Sequence, residues 1–424
     1  MRTLLLILPV LLGADGGVSG GGRPAAYAEA RRAFARALDA GALDEARTAL
    51  ARRRAAAPGR IDVDYDLACV EARAGRLDLA FTALETVAAA GLAVDPAADT
   101  DLTSLRGDPR WAPLLARFAA SRAPVSPRAS SLQVPAAVGL VEDVAEDPRT
   151  GAVFVSSVRT GEVWRKASGA WRSWARPAPA GSGAFALGLD TARRVLHVSV
   201  GVVPQTEGYR KVDEGRSALV TYRLDDGREL ARLEPPGEGP HLLGDMTVTP
   251  DGTVLISDTL AGTVFRLRGG ASSLDPLVPS HVFANPQTPA LSPDGKSVLV
   301  PDWTLGLFAM PLTGGPPEPV AAPADLVTAG IDGLLAVPDG LLAVQNGIVA
   351  PRMVRLWLTK DGGRITRWTV LARGPALADP THVARGRGGV LAVATSGWAR
   401  FTDDGAPRPG APPASPRLMR LDLH

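Results

Sequence analysis

Residues 244–267 read GDMTVTPDGTVLISDTLAGTVFRL. A short run rich in β-branched residues, TVLISD from Thr253, follows a Pro-Asp-Gly turn at Pro250. Asp and Gly supply the backbone geometry that a tight hairpin requires. A second strand-like run, GTVFRL, begins at Gly262, so this stretch predicts consecutive strands of an antiparallel sheet.

The same pattern recurs through the second part of the chain. Runs of the first kind are AVFVSS from Ala152, VLHVSV from Val195, TVLISD from Thr253, SVLVPD from Ser297, LLAVQN from Leu341 and VLAVAT from Val390. The runs that follow them are GEVWRK from Gly161, ALVTYRL from Ala218, GTVFRL from Gly262, GLFAMPL from Gly306, MVRLWL from Met353 and LMRLDL from Leu418. Copies spaced by roughly 45 to 60 residues are the signature of a β-propeller, so the chain is predicted to be mainly β with six four-stranded blades.

The last repeat runs into the C-terminus and leaves no sequence for the outermost strand of blade six. The segment SSLQV, residues 130–134, lies just before the first repeat and is expected to supply that strand. Such pairing would join both ends of the propeller and remove an open sheet edge.

The first part of the chain has a different pattern. Residues 4–12 form an apolar run after Arg2, too short to span a bilayer core of ~30 Å. This pattern predicts a secretory signal peptide over residues 1–22, a periplasmic or secreted protein and no membrane span in the mature chain, with an uncleaved anchor as the alternative.

Residues 23–120 carry apolar side chains at helical spacing. The stretch YDLACVEARAGRLDLAFTALETVAAAG, from Tyr65, predicts two antiparallel helices joined at Gly75 and is similar to a tetratricopeptide hairpin. Cys69, the single cysteine, is expected to pack as a structural thiol. Residues 121–130, SRAPVSPRAS, are interpreted as a linker, and residues 131–424 as the propeller.

Composition argues against several classes of function. The 46 basic and 44 acidic residues nearly cancel, to a net charge of +2, and the arginines are scattered, so nucleic acid is not an expected partner. The single Gly-x-Ser-x-Gly match, at residues 17–21, lies within the predicted signal peptide, and the sequence has no HExxH helix, phosphate loop or dinucleotide fingerprint. A serine hydrolase or a nucleotide-dependent enzyme is therefore unsupported.

Polar side chains stand at equivalent positions of the repeats. The first strand of each propeller blade lines the central channel, and the loops at its start open onto one face. Aligning the repeats on their turns predicts that the following residues meet at the channel mouth: Glu142, Gly244-Asp245, Gln287, Asp332, and Thr381 after Asp379-Pro380.

These features resemble the gluconolactonase and regucalcin family, six-bladed propellers with one divalent metal in the central channel. The resemblance covers about residues 131–424 and is carried by EDVAEDPRTGAVFV from Glu142, GDMTVTPDGTVLISDTLAGTVFRL from Gly244 and GIDGLLAVPDG from Gly330. It implies that Glu142 and Asp332 bind the metal, because a Glu and an Asp before Gly do so in the family. The third family ligand, an Asn, falls on Gln287, which keeps the amide carbonyl on a longer arm.

Carboxylate and amide oxygens suit a hard cation, so calcium is the first expectation, with zinc, magnesium or manganese as alternatives. A lactone or ester carbonyl bound at such a metal is polarised toward attack by a metal-bound water. The resemblance therefore implies a metal-dependent lactone or ester hydrolase in which Asp332 takes the proton.

The chain departs from the family at Leu242 and Gly244, where an Arg and an Asn contact a sugar substrate. A sugar-acid lactone is therefore not the expected substrate. The expected substrate contacts are Asp245, His241, Thr381, His382 and, for an anionic group, Arg352. His241 and His382 are also the general-base candidates among the histidines.

Each of these residues also has a structural interpretation. The carboxylates of Glu142 and Asp332 can hydrogen-bond the backbone of a neighbouring blade, Asp245 can cap a turn, and Arg352 can be solvated. Gln345 and Asn346 are expected at the far end of the inner strand of blade five, where they cap backbone groups. The rival function is a non-catalytic propeller that binds a protein, peptide or glycan, with the helical region recruiting a partner.

Overall fold

The computed structural model describes residues 22–411, 413 and 415–422. Residues 1–21, most of the segment interpreted as a signal peptide, lie outside the described residues. No helix within the described ranges is long and apolar enough to cross a membrane.

The N-terminal region is helical, as the spacing of apolar residues predicts. Its helices are α1 (Arg23–Asp39), α2 (Leu43–Ala56), α3 (Val63–Arg73), α4 (Leu77–Ala89) and α5 (Trp111–Arg122). Helices α3 and α4 form the expected hairpin, and Gly75 between them has a φ of +75°, which glycine adopts without strain. Helix α5 continues into the segment interpreted as a linker, because Trp111, Leu114 and Phe118 pack into the helical core.

Twenty-four strands follow in the described part of the chain, arranged as six four-stranded antiparallel sheets. The first strand is β1 (Ala129–Gln133). Blade one contains β2 (Val141–Glu146), β3 (Val153–Ser157), β4 (Val163–Ala167) and β5 (Ala170–Ala175). Blade two contains β6 (Gly183–Asp190), β7 (Val195–Gly201), β8 (Ser217–Arg223) and β9 (Glu229–Leu233). Blade three contains β10 (Leu243–Val248), β11 (Val254–Asp258), β12 (Thr263–Leu267) and β13 (Asp275–Pro276).

Blade four contains β14 (Ala290–Leu291), β15 (Ser297–Asp302), β16 (Gly306–Pro311) and β17 (Glu318–Pro319). Blade five contains β18 (Ile331–Val337), β19 (Gly340–Gln345), β20 (Arg352–Leu358) and β21 (Ile365–Arg373). Blade six contains β22 (Val383–Gly386), β23 (Gly389–Thr395) and β24 (Arg417–Leu421), and its fourth strand is β1. The prediction of a six-bladed propeller is confirmed.

The expected closure of the ring is also present. Strand β1 pairs antiparallel with β24, in a register that places Ser131 opposite Met419. The last blade is thus built from both ends of the propeller, so its outer strand is paired and not left open.

The core of the propeller lies between neighbouring blades. Strands β3, β11 and β19 are buried along their whole length, because each blade is covered on both faces. One cluster joins Leu391 and Leu418 of blade six to Val153 and Val155 of blade one. Each such side chain contributes about 1.5–3 kcal/mol on burial, so the blades hold one another in place.

A β-bulge interrupts the inner strand of four blades at the same level. Two residues of the inner strand stand opposite one residue of the next strand at Glu142-Asp143, Phe185-Ala186, Gly244-Asp245 and Asp332-Gly333. In three of these blades a serine hydroxyl of the second strand accepts from the second bulge N–H, at 2.9–3.3 Å. Bulges re-aim side chains, and here they present consecutive residues to the channel.

Candidate metal centre

The bulge explains the Asp-Gly dipeptide at the start of blade five. A β-carbon on Gly333 would lie 2.7 Å from the backbone oxygen of Thr381 and 2.9 Å from Cα of His382. Glycine therefore allows blade six to approach closely while Asp332 points into the channel. Thr381, at the equivalent position of blade six, donates its hydroxyl to the backbone oxygen of Glu142, 2.5 Å away.

Three of the expected residues meet at the channel axis. One distal atom of the Gln287 amide lies 2.9 Å from Asp245 Oδ2 and 3.0 Å from Asp332 Oδ1. If that atom is the amide nitrogen, it donates to both carboxylates. If it is the oxygen, three acceptors face one another, and either a bound cation or a proton on one of the carboxyl groups must lie between them. All three side chains are at most 8% exposed, so solvent water is largely excluded from them and does not solvate their charges as it would at the surface.

Asp332 has a second contact that the sequence analysis missed. Asn346 Nδ2 donates to Asp332 Oδ2 and to the backbone oxygen of Pro380, the latter at 3.0 Å. The indole N–H of Trp303 donates to Asn346 Oδ1 at 2.9 Å, which fixes the amide orientation. One carboxylate oxygen of Asp332 is thus held by Asn346, and the other faces Gln287.

Gln345 and Asn346 were expected at the far end of the inner strand of blade five, and this placement was wrong. Gln345 and Asn346 stand at the end of β19, the second strand, which lies beside the start of β18 because the pair is antiparallel. Gln345 does cap backbone, since its Nε2 donates to Val327 O at 2.8 Å. Asn346 instead belongs to the channel mouth.

Glu142 reaches the same mouth but is set apart from the Gln287 group. Its Oε2 accepts from the indole N–H of Trp398. No choice of one carboxylate oxygen from each of Glu142, Asp245 and Asp332 brings all three within 4.8 Å of one another. Glu142 would therefore have to leave Trp398 to join a shared coordination shell.

A polar group lies one residue further along the inner strands. His382 Nε2 is 3.1 Å from Asp143 Oδ1, and His382 Nδ1 is 3.4 Å from the Thr288 hydroxyl and 3.8 Å from Asp245 Oδ1. Asp143 also accepts from the backbone N–H of Leu187 at 2.6 Å. The sequence signal for Asp143 was its alignment with Asp245 at the second bulge position.

Burial dominates the titration of these groups. It raises the pKa of Glu142 to about 8, with the nearby Asp245 charge adding to the effect, and that of Asp245 to about 7. Burial also raises the pKa of Asp332 well above its usual range, with repulsion from Asp245 and Glu142 adding to it. Within the described part of the chain, no arginine or lysine forms an ion pair with these three carboxylates.

His241 lies away from this group, beside the end of strand β11. Its Nδ1 is 2.7 Å from Asp258 Oδ2, while its Nε2 is buried and has no hydrogen-bond partner. Asp258 is fixed by the backbone N–H groups of Leu242 and Ala261, at 3.0 and 2.9 Å. His241 is thus oriented by a carboxylate but does not contact the Gln287 group.

Arg352 is neither solvated nor at the channel. Its side chain is 0% exposed, and it donates to Gln345 Oε1 at 2.7 Å and to the backbone oxygen of Ala90 at 3.0 Å. Arg352 is therefore neither the expected substrate contact nor a solvated side chain. It joins blade five to the helical region. Desolvation there lowers its pKa to about 9.

Apolar side chains cover one side of the mouth. Phe185 stands at the first bulge position of blade two, and Leu242 packs in the same cluster with Phe401 and, at its border, Trp398. The mouth therefore combines a carboxylate group with an apolar wall.

A second cluster of possible metal ligands, one thiol and two carboxylates, lies in the helical region. Within the described residues, Cys69, Asp99 and Asp101 each place a ligand atom within 4.8 Å of the others. Asp99 already accepts from the Tyr65 hydroxyl at 3.0 Å and from the backbone N–H of Asp101 at 3.0 Å. Burial raises the pKa of the Cys69 thiol, as expected for a structural cysteine.

The donor set at the channel fits a hard divalent cation. With the amide oxygen of Gln287 turned toward Asp245 and Asp332, the three side chains offer oxygen atoms, and separations of 2.9 and 3.0 Å suit neighbouring oxygens of one coordination shell. A cation would also supply the positive charge that the buried carboxylates lack.

No protein-family model matches this sequence, and no curated protein matches it. A streptogramin B lyase structure has 13% identity over 66% of this chain and 79% of that one, with a TM-score of 0.42. A proposed gluconolactonase has 18% identity over 70% of this chain and 93% of that one, with a TM-score of 0.46. The calcium-binding protein regucalcin from Agrobacterium tumefaciens has 17% identity over 66% and 89%, with a TM-score of 0.46. The solved structures similar to this chain thus include six-bladed propellers of the gluconolactonase and regucalcin type.

Proposed function

We propose that this protein is an exported hydrolase that uses a divalent cation, calcium first among the candidates, to cleave a lactone or ester. The observation that carries the proposal is the meeting of Gln287, Asp245 and Asp332 at the channel axis. Glu142 would supply a fourth ligand if its carboxylate turned away from Trp398. A bound cation would polarise the substrate carbonyl and favour ionisation of a water.

The residues around the cation have separate roles in this proposal. Asp332 would accept the proton of the attacking water when its carboxyl group is ionised, through the oxygen that Asn346 does not hold. Asn346 orients Asp332. Asp245, Thr381 and His382 border the substrate, and Phe185 and Leu242 favour an apolar acyl or alkyl group over a sugar.

The test is a panel of aliphatic lactones, sugar lactones and aryl esters, assayed with calcium and with chelator. We expect activity on aliphatic substrates that is lost with chelator and restored by calcium. Asp332→Asn, which keeps the shape of the side chain, is expected to lower kcat by at least about 100-fold, with an unchanged thermal midpoint in chelator. Activity that persists with chelator would contradict the cation role.

The rival function, binding of a partner without catalysis, is favoured by the absence of the Arg and Asn at Leu242 and Gly244. It predicts no turnover of any substrate on the panel. Export is tested separately, by fractionating cells that express the full chain, since the proposal rests on Arg2 and the apolar residues 4–12.

A further inference from the structure

The helical module, residues 23–122, packs onto loops of blades four and five on the channel-mouth face. The backbone oxygen of Gly59 accepts from the N–H groups of Thr328 and Ala329, at 3.1 and 3.3 Å. Arg60, itself 7% exposed, donates to the backbone oxygen of Thr304 at 3.2 Å. These loops begin strand β18 and follow strand β15.

The next loop of blade five is held by the same module. Ala93 N donates to the backbone oxygen of Val349 at 2.6 Å. Three side chains of the propeller, Val327, Ala329 and Ile348, lie in the hydrophobic core of the helices. The helical module and the propeller therefore share a hydrophobic core and do not merely meet at their surfaces.

A short path leads from these loops to Asp332. Trp303, next to Thr304, accepts at its backbone oxygen from Gly330 N at 2.9 Å, and its ring lies against Gly347, where a β-carbon would come within 2.7 Å of it. Its indole N–H donates to Asn346 Oδ1, and Asn346 Nδ2 donates to Asp332. The Asn346 amide has one orientation that satisfies Trp303, Asp332 and Pro380 together.

We propose that the helical module is a positioning element of the channel site, which holds Asp332 in place through Trp303 and Asn346. The inference rests on the proposed cation site and extends it to residues outside the propeller. A module that only recruits a partner would leave cation affinity independent of these contacts. Loss of outer-shell partners typically weakens metal binding by about 10- to 100-fold.

The test compares two glycine substitutions in the helical module. A β-carbon on Gly59 would lie 2.1 Å from Thr328 Oγ1 and 3.1 Å from Gly306 Cα, whereas one on Gly107 meets nothing within 4 Å. We expect Gly59→Ala to weaken calcium binding by at least about threefold in calorimetry, and Gly107→Ala to leave it unchanged. Circular dichroism and the thermal midpoint verify that both variants are folded.

A double-mutant cycle tests the path itself. Asn346→Ala is expected to weaken calcium binding about tenfold. Adding Trp303→Phe to Asn346→Ala should cost nothing further, because Trp303 acts on Asp332 only through Asn346. Additive losses would overturn this path.

A second readout does not need a bound cation. The indole N–H resonance of Trp303, identified by its loss in Trp303→Phe, is expected to shift in Gly59→Ala and in Asn346→Ala but not in Gly107→Ala. If the unmodified protein binds none of calcium, magnesium, manganese and zinc, the cation site is refuted, and this resonance still decides whether the module positions the path. An unmoved resonance in Gly59→Ala refutes the positioning role.

Discussion

Gln287 separates two chemical states of the channel by the orientation of one amide. When its nitrogen faces Asp245 and Asp332, the amide donates a hydrogen bond to each carboxylate. When its oxygen faces them, the amide can serve as a ligand of a cation. The sequence predicted this residue because the repeats align on their turns. It did not predict Asn346 or Trp398, whose partners come from another strand or another blade.

The two states make different predictions for substitutions at residue 287. Gln287→Leu, which removes the amide, is expected to weaken calcium binding by about tenfold or more. Gln287→Glu is expected to retain calcium binding above about pH 8, where a third carboxylate is ionised and adds a charged ligand. Calorimetry at two pH values measures both.

An amide that serves only as a donor gives the opposite pattern. Gln287→Glu would then destabilise the protein by like-charge repulsion and gain no calcium affinity. Gln133→Leu, on the outer strand β1, is the control for loss of an amide far from the channel.

At the scale of the element, β1 and the bulges show what a repeat pattern can and cannot predict. The outer strand of blade six was expected from the missing sequence after the last repeat, and β1 supplies it. The bulges were not expected. In a short strand, the alternation of apolar and polar residues fits the pattern equally well with and without one inserted residue. Asp143 was missed for that reason.

The closing strand allows a matched pair of substitutions. Val134 N donates to Pro416 O, and antiparallel hydrogen bonds alternate, so the N–H of Ser130 faces β24 while that of Ser131 faces away. Ser130→Pro removes a ladder bond and is expected to lower the free energy of unfolding by about 1–3 kcal/mol. Ser131→Pro is expected to cost clearly less. Urea denaturation of both variants measures the difference, and equal losses would show that β1 does not close the ring in solution.

At the scale of the whole molecule, the channel carboxylates tie stability to pH and to calcium. Folding raises the pKa of Glu142 to about 8 and that of Asp245 to about 7, so the folded chain binds more protons than the unfolded one above pH 6.5. The free energy of unfolding then falls as pH rises from about 6.5 to 8. Below that window the lowered pKa of His382, about 4, acts in the opposite direction.

Thermal unfolding in chelator should therefore show a midpoint that decreases from pH 6.5 to pH 8. Calcium at 100 times its dissociation constant is expected to add about 2.7 kcal/mol at pH 8. It should add less at pH 6.5, where protons compete for the same oxygens. A midpoint that rises over this range in chelator would contradict the assigned pKa values.

The position of the helical module was the part of the architecture that the sequence did not predict. Helical spacing over residues 23–120 predicts that hairpins form, but not which propeller surface they cover. The contacts that hold the module there, such as that between Gly59 and the loop at Thr328, join residues far apart in the sequence, so no local pattern predicts them.

The pairing of β1 with β24 also has a consequence for synthesis and for damage. At this seam Gln133 Nε2 donates to the backbone oxygen of Pro416, which lies 283 positions further along the chain. Contacts this distant form late, because most of the chain must exist before either end finds its neighbour. Loss of residues 417–421, by incomplete synthesis or by proteolysis, would therefore leave β1 without its partner strand. A cut at residue 129 would disrupt the same pairing.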